Sequence, residues 1–558
     1  MTVKKKLLTF LLILLILGSS IAGLWWHDQH YARIDYRFYP KNARELDLRG
    51  EEISISHYQK LRQKLPDCRI LWDVPIGDGR SFCGAQTLVL PRMTGQDAEA
   101  LVCFPQLKTL DATGSEDYAL LQKVRQTYPQ LEVLYTISIG DRAYSWDTTE
   151  LYVDGFREEE AALLQYMPKL QRVYLKSGKD VAHLEVLIDQ CRKLDIPVFV
   201  TLGGSDCPLD AEILEIRGIT GVELPLLGLM PNLKQATLSE PQADPENLIR
   251  LRLDLPNANI TWEKTLLGCT FPSDAVSLDL TAGISPEGVL AYEKAKTVPV
   301  QGKRDTIVYQ FPVSASTPLP DLTGETARLI HQVEQAMAYF PEAREVILGG
   351  ALLDNEAMAA FREAHRSEYK VVWTVQCGNK MIARTDTPYF MPTKYHVYYF
   401  LDADAVNLKY CEEIRCLDLG HMAISHIDWV QYMPDLTYLV LAHTQLKYIE
   451  PIRSCRKLKF LELDWSPIRD YTPLKDCTAL EDLNLGKTYG DFTPIGEMTW
   501  LKNLWMVDCG SGPAYRMTQA LTNTKVMVSG SATVANGWRE LPNYYAMRDA
   551  LGMYYMKW

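Results

Sequence analysis

Between residues 414 and 510 the chain repeats one leucine frame with a 22-residue step. Ile414, Leu417 and Leu419 recur as Leu436, Leu439 and Leu441, then as Leu458, Leu461 and Leu463, then as Leu480, Leu483 and Leu485. A degenerate fifth copy begins at Leu501, one position early. A fixed period of this size is the mark of a solenoid, in which each unit buries its apolar face only against its neighbours. Such chains present an extended surface and seldom do chemistry, which weights every later reading toward binding.

Apolar residues also return later in each copy. They are Leu446, Ile449 and Ile452 in the second copy and Ile468, Tyr471 and Leu474 in the third. The L-x-L core is expected to be a short strand with alternate side chains pointing inward, and the later positions to fold the return path onto the same core. Thr444, Ser466 and Thr488 share the ninth position, where a small hydroxyl can bond the backbone as the chain leaves the strand. Cys411, Cys455 and Cys477 share a column with Met433 and Met498. A column shared by Cys and Met indicates a ladder of core side chains rather than disulfides, although a Cys455–Cys477 bridge is conceivable between neighbouring coils.

These motifs resemble the leucine-rich repeat family, in the 22-residue form of bacterial internalin-type surface proteins. The family often carries Asn at the ninth position; Thr or Ser stands there in this chain, so the asparagine ladder is weakened or absent. The resemblance implies a curved stack with strands on a concave face, and a binding role for that face.

A coarser repeat lies upstream. Leu65-Pro-Asp-Cys-Arg-Ile-Leu-Trp72 resembles Tyr128-Pro-Gln-Leu-Glu-Val-Leu-Tyr135 and Leu255-Pro-Asn-Ala-Asn-Ile-Thr-Trp262. Pro66, Pro129 and Pro256 are separated by one and then about two units of a 63-residue step. Cys191 to Val200 fits the missing copy in outline, and Tyr369 to Trp373 a fifth. Each unit reads as a helix, a β-rich run, a turn and another L-x-L strand, which is α/β organisation with mainly parallel pairing. The expected fold class is therefore α/β: a leucine-rich repeat solenoid with a curved parallel sheet. Irregular α/β repeats are expected over 43–410, regular repeats over 411–510 and a C-terminal cap over 511–558. The alternative for 43–410 is a separate α/β domain. The cap is suggested by Val526-Met-Val528 and by Trp538, Tyr544, Tyr545, Tyr554, Tyr555 and Trp558, because a solenoid must cover its last open coil.

At the N-terminus Lys4, Lys5 and Lys6 precede an apolar run from Leu7, which ends at Trp25 and Trp26. Basic residues before an apolar helix make an export signal and place the bulk of the chain outside. Within this 1–26 segment, the stretch from Leu7 to Trp26 is about long enough to span a bilayer as an anchor. The alternative is a signal peptide cleaved at Ser20-Ile-Ala22, which would secrete the chain. No Cys follows the run, which argues against a lipid anchor, and residues 27–42 read as a stalk. The expected location is the cell membrane, single-pass, with the rest extracytoplasmic.

The net charge is −12, from 58 basic and 70 acidic residues, and no basic stripe appears, which excludes nucleic acid as a partner. The chain has no G-x-S-x-G elbow, H-E-x-x-H helix, phosphate loop or C-x-x-C pair, so an enzyme and a cofactor are not expected. His421 and His443 share the eighth repeat position and Trp465 follows in that column. Two stacked imidazoles lack a third metal ligand, so these read as surface residues that would touch a ligand. The outward strand positions are more informative. The third carries Cys416, Tyr438, Phe460, Asp482 and Asn503; the fifth carries Asp418, Val440, Glu462, Asn484 and Trp505. Aromatics interleaved with carboxylates on one exposed face suit an interface. The expected ligand-contacting set is Tyr438, Phe460, Trp505, Asp418, Glu462, Asp482, His421, His443 and Trp465. The expected ligand is a protein or peptide, with a cell-wall glycan stacked on Tyr438, Phe460 and Trp505 as the alternative. An enzyme with a catalytic N-terminal α/β region is the least favoured reading.

Overall fold

The computed structural model describes residues 8–13, 15, 25–284, 310–312 and 319–553. The chain divides into two compact units, residues 1–236 with 242–260 and residues 237–241 with 261–558.

The first unit is built from parallel strands, each set closed by an antiparallel hairpin. Glu45–Asp47 pairs in parallel with Arg69–Leu71 across the helix Ile55–Lys64. Thr87–Val89, Thr109–Asp111 and Glu132–Leu134 form a three-stranded parallel sheet. Glu150–Val153, Arg172–Leu175 and Val198–Leu202 form the next. The hairpins are Asp73–Ile76 with Gly79–Phe82, Thr136–Ile139 with Arg142–Ser145, and Val198–Leu202 with Ser205–Pro208.

Each hairpin turns on a left-handed glycine, Gly77, Gly140 and Gly203, at the same 63-residue step. A Cβ at Gly140 would lie 2.5 Å from the Gly155 carbonyl oxygen, so only glycine fits there. At one fixed distance beyond each turn comes an acid: Asp97, Glu160 and Glu223. Asp97 Oδ1 accepts the Gly77 N–H at 2.7 Å, and Glu160 Oε2 accepts the Gly140 N–H at 3.0 Å. The same carboxylates accept the N–H of Thr94 and of Arg157 at the next helical turn, and both are buried. Each of these two acids therefore ties a hairpin to the helix that follows it, with its charge held by backbone donors.

In the second unit, Ser277–Asp279, Glu345–Leu348 and Lys370–Cys377 run in parallel, and Met381–Arg384 and Gln310–Pro312 add antiparallel strands. A seven-stranded, wholly parallel sheet follows. Its strands are β1 (Tyr389–Phe390), β2 (Cys416–Asp418), β3 (Tyr438–Val440), β4 (Phe460–Glu462), β5 (Asp482–Asn484), β6 (Asn503–Trp505) and β7 (Lys525–Met527). Short turns of helix at Asp428–Tyr432, Glu450–Ser454, Thr472–Asp476 and Thr493–Gly496 make the return paths. Pro451, Pro473 and Pro494 open the last three, where the missing N–H costs nothing.

One strand and one return turn per repeat, stacked in parallel, is a leucine-rich repeat solenoid. The inward columns are fully buried: Leu417, Leu439, Leu461, Leu483 and Leu504 among them. Cys411, Cys455 and Cys477 are buried in the core, and all twelve cysteines are free thiols. The Cys477 Sγ donates to the Ile452 carbonyl of the preceding coil at 3.4 Å instead of forming a bridge. The hydroxyl column forms its own ladder. Thr444 and Thr488 donate to the Leu441 and Leu485 carbonyls at 2.8 and 2.6 Å, and Thr444 Oγ1 and Ser466 Oγ lie 3.0 Å apart.

The anchor expected over residues 1–26 falls mostly outside the described residues. Among those described, no helix is long and apolar enough to cross a membrane. Tyr554, Tyr555 and Trp558 also lie outside them.

Candidate functional site

The sheet register brings the third and fifth repeat positions into two straight rows. Cys416, Tyr438, Phe460, Asp482 and Asn503 are direct partners across β2–β6, and Asp418, Val440, Glu462, Asn484 and Trp505 form the second row. Both rows point away from the leucine core, because successive strand side chains alternate faces.

This face is not open. Helix α1 (Ser511–Ala520) and strand β7 add one more coil, with β7 paired in parallel to β6. The chain then reverses at Asn536 and Gly537, both left-handed, and residues 533–551 cross the outward face from β6 back to β2. Helix α2 (Pro542–Ala550) lies in this arm. Trp538 is its anchor. Its fully buried ring sits 4.9 Å from Phe460 and 5.2 Å from Trp505, centroid to centroid. Its indole N–H donates to Glu462 Oε1 at 2.5 Å.

Polar contacts fasten the rest of the arm. Thr533 donates its hydroxyl to Asp464 Oδ2 at 2.7 Å, and its carbonyl accepts from Asn484 Nδ2 at 3.3 Å. The Ala535 carbonyl accepts from the Trp505 indole at 2.7 Å. Asn543 Nδ2 donates to Asp482 Oδ2 at 2.9 Å and to Glu481 Oε2 at 3.1 Å. Lys394 Nζ donates to the Leu551 carbonyl at 2.6 Å. Met547, Leu551 and Leu541 complete a separate apolar cluster with Met391, Cys416, Val440, Phe460 and Trp505.

The expectation of an exposed aromatic and acidic row is thus corrected for four residues. Phe460, Trp505, Asp482 and Glu462 are buried, because the chain's own C-terminal segment removes the rings from water and supplies donors to the carboxylates. Tyr438 and Asp418 are half-buried. Sequence reasoning misses Thr533, Asn543 and Asp464 and reads Trp538 only as part of a cap; the pairing of a Trp-bearing tail with an aromatic, acidic face was the available signal.

Burial governs the acids beneath the arm. Glu462 is pushed up to about 8, by desolvation first and by the neighbouring Asp464 second, against the Trp538 hydrogen bond. Asp418 is pushed up to about 6 by desolvation, against the Gly420 N–H that its Oδ1 accepts at 2.9 Å. Asp464 and Asp482 are raised for the same first reason, and Asp464 Oδ1 has no hydrogen-bond partner among the described groups.

The eighth-position column stays outside the arm. His421, His443, Trp465, Lys487 and Asp508 all have positive φ, between 54° and 63°. Each of the first four donates its N–H to the next coil, at 2.8 or 2.9 Å, so the ladder runs one step past the strand before the chain turns. The side chains stack. His421 and His443 are 4.4 Å apart, His443 and Trp465 5.0 Å, and Lys487 Nζ lies 3.8 Å above the Trp465 ring. Trp465 is 47% exposed, which makes this column the accessible edge of the site. His443 is held below the ordinary imidazole value by desolvation and by His421 beside it. Among the described residues, no group of three or more His, Cys, Asp or Glu side chains is placed to hold a metal.

No family model matches the chain, and no curated protein matches it. Solved structures do resemble it. An internalin C2 from Listeria monocytogenes is 20% identical over 23% of this chain and 70% of its own, with a TM-score of 0.18. An internalin (inlF) of the same organism is 13% identical over 75% of this chain and 91% of its own, at 0.22. A leucine-rich repeat protein of Leptospira interrogans is 12% identical over 80% and 94%, at 0.24. With scores this low, the fold class rests on the strand pairing above.

Proposed function

We propose that this chain is a non-catalytic leucine-rich repeat protein of the internalin type that holds a protein or peptide partner on the outward face of β2–β6. It works outside the cell, tethered by the apolar segment that begins at Leu7. The observation that carries this reading is the arm. The face already grips a polypeptide segment through side chains of β2, β4, β5 and β6. Ligand contact is assigned to Tyr438, Phe460, Trp505, Asp418, Glu462 and Asp482 beneath the arm, and to His421, His443 and Trp465 along its open edge. Stacking on a glycan is the weaker reading, because Phe460 and Trp505 meet Trp538 instead of an open groove.

The test is a photo-reactive amino acid placed in turn at Tyr438, at Trp465 and at Tyr448, which is 77% exposed on the return path. Cross-links to a polypeptide from the first two positions and not from Tyr448 are the expected result. Equal labelling at all three, or capture of carbohydrate alone, would refute the assignment.

A further inference from the structure

The arm also carries the chemistry of what would replace it. Trp538 fills the space between Phe460 and Trp505, and its N–H reaches Glu462. A hydroxyl five positions earlier meets Asp464, and an amide five positions later meets Asp482 and Glu481. The face presents carboxylates throughout, so an acidic segment is disfavoured, and Arg539 next to the anchor lies close enough to act on Glu462. The arm is joined to the last coil by an exposed stretch at Ser529–Ala532, which leaves it a route to swing away.

We propose that the face is a tryptophan-anchored peptide groove, and that residues 533–551 are an internal stand-in that an external segment must displace. The ligand class is a neutral or basic peptide carrying a tryptophan, with hydrogen-bond donors on either side of it. This deepens the binding reading above and rests on it. An aromatic anchor in a desolvated pocket, ringed by polar contacts, is the arrangement that concentrates binding energy in few residues. Because the stand-in is covalently attached, it competes at high effective concentration, and the intact protein binds weakly until the arm is loosened.

The probe is a fluorescein-labelled peptide of residues 530–553, titrated into the full chain and into its Trp538→Ala variant, with anisotropy as the readout. The variant is expected to bind the peptide at least tenfold more tightly than the wild type, and a peptide with alanine in place of Trp538 to lose at least tenfold. A Thr533→Val/Asn543→Ala variant, which loosens the arm while keeping the indole, guards against misfolding of the first and should show an intermediate gain. Equal binding by wild type and both variants, no binding by a variant whose circular dichroism is unchanged, or indifference to the peptide's tryptophan would overturn the proposal. If the peptide fails while the cross-links at Tyr438 and Trp465 still form, the groove's specificity is wrong and the binding face stands.

Discussion

At the scale of single residues, Glu462 is the most sensitive position on the face. Its carboxyl titrates near 8 with the arm docked and would return toward the ordinary value, about 4.3, once the arm leaves. The docked state therefore binds the proton more tightly, and low pH favours docking. That contribution is intact below the ordinary carboxylate range and is lost progressively as the pH climbs to about 8. Asp418, raised to about 6, acts with the same sign over a lower window. His443, outside the arm, acts on the repeat stack and with the opposite sign: its lowered value contributes stability above the ordinary imidazole range that is lost on acidification. The facing groups are Asp464, Asp418 and Arg539 at Glu462, with His421, Asp464 and Lys487 at His443. Hydrogen-exchange protection of residues 530–553, corrected for intrinsic rates, should fall between pH 6 and 8, and Glu462→Gln should flatten that fall. A profile unchanged by the substitution would place the titration elsewhere. Truncating Trp538 to Ala removes a fully buried indole, a change that costs about 3–5 kcal/mol in a protein core. The expected result is release of the arm, seen as new proteolytic cleavage after Arg539 and Arg548, with the leucine-repeat stack still folded.

At the scale of elements, the two periods are stabilised by different devices. In the regular repeats the hydroxyl column replaces an amide ladder, and Thr444→Val should cost about 1 kcal/mol by stranding its buried partners. In the first unit the device is a left-handed glycine tied to a buried acid further along the chain. Gly140→Ala forces a Cβ to within 2.5 Å of the Gly155 oxygen on a left-handed backbone, and should cost more than about 1 kcal/mol in urea denaturation. An unaffected midpoint would mean the hairpin shifts without loss. The longer period was legible through its prolines and L-x-L strands. The glycine–acid pairing was equally present in the sequence, yet its meaning was not, since only the folded backbone shows that Asp97 and Glu160 reach back to the preceding turn. The left-handed column at His421, His443, Trp465 and Lys487 was likewise visible as a spacing, but its backbone conformation was not, because non-glycine residues rarely take it.

At the scale of the whole molecule, the twelve thiols are free and mostly buried, and burial raises them: Cys103, Cys191 and Cys477 to about 12 and Cys455 to about 11. So few thiolates form that oxidation is slow even under oxidising conditions. The melting temperature should not change with a reducing agent, and the ten buried thiols should react only after denaturation, unlike the partly exposed Cys207 and Cys269; a melting temperature lowered by reduction would reveal a bridge. The sequence by itself determined the solenoid, the strand register and the inward columns, because a fixed leucine period and an L-x-L alternation are local facts that each repeat states for itself. It also determined which side chains face outward. What covers them was decided by tertiary structure alone. The arm begins at Thr533, beyond the last strand of the sheet, and meets strands as far back as Cys416, which Met547 contacts across 131 residues of sequence. Burial of that aromatic and acidic face depends on a long-range pairing of complementary surfaces, and no periodicity encodes it.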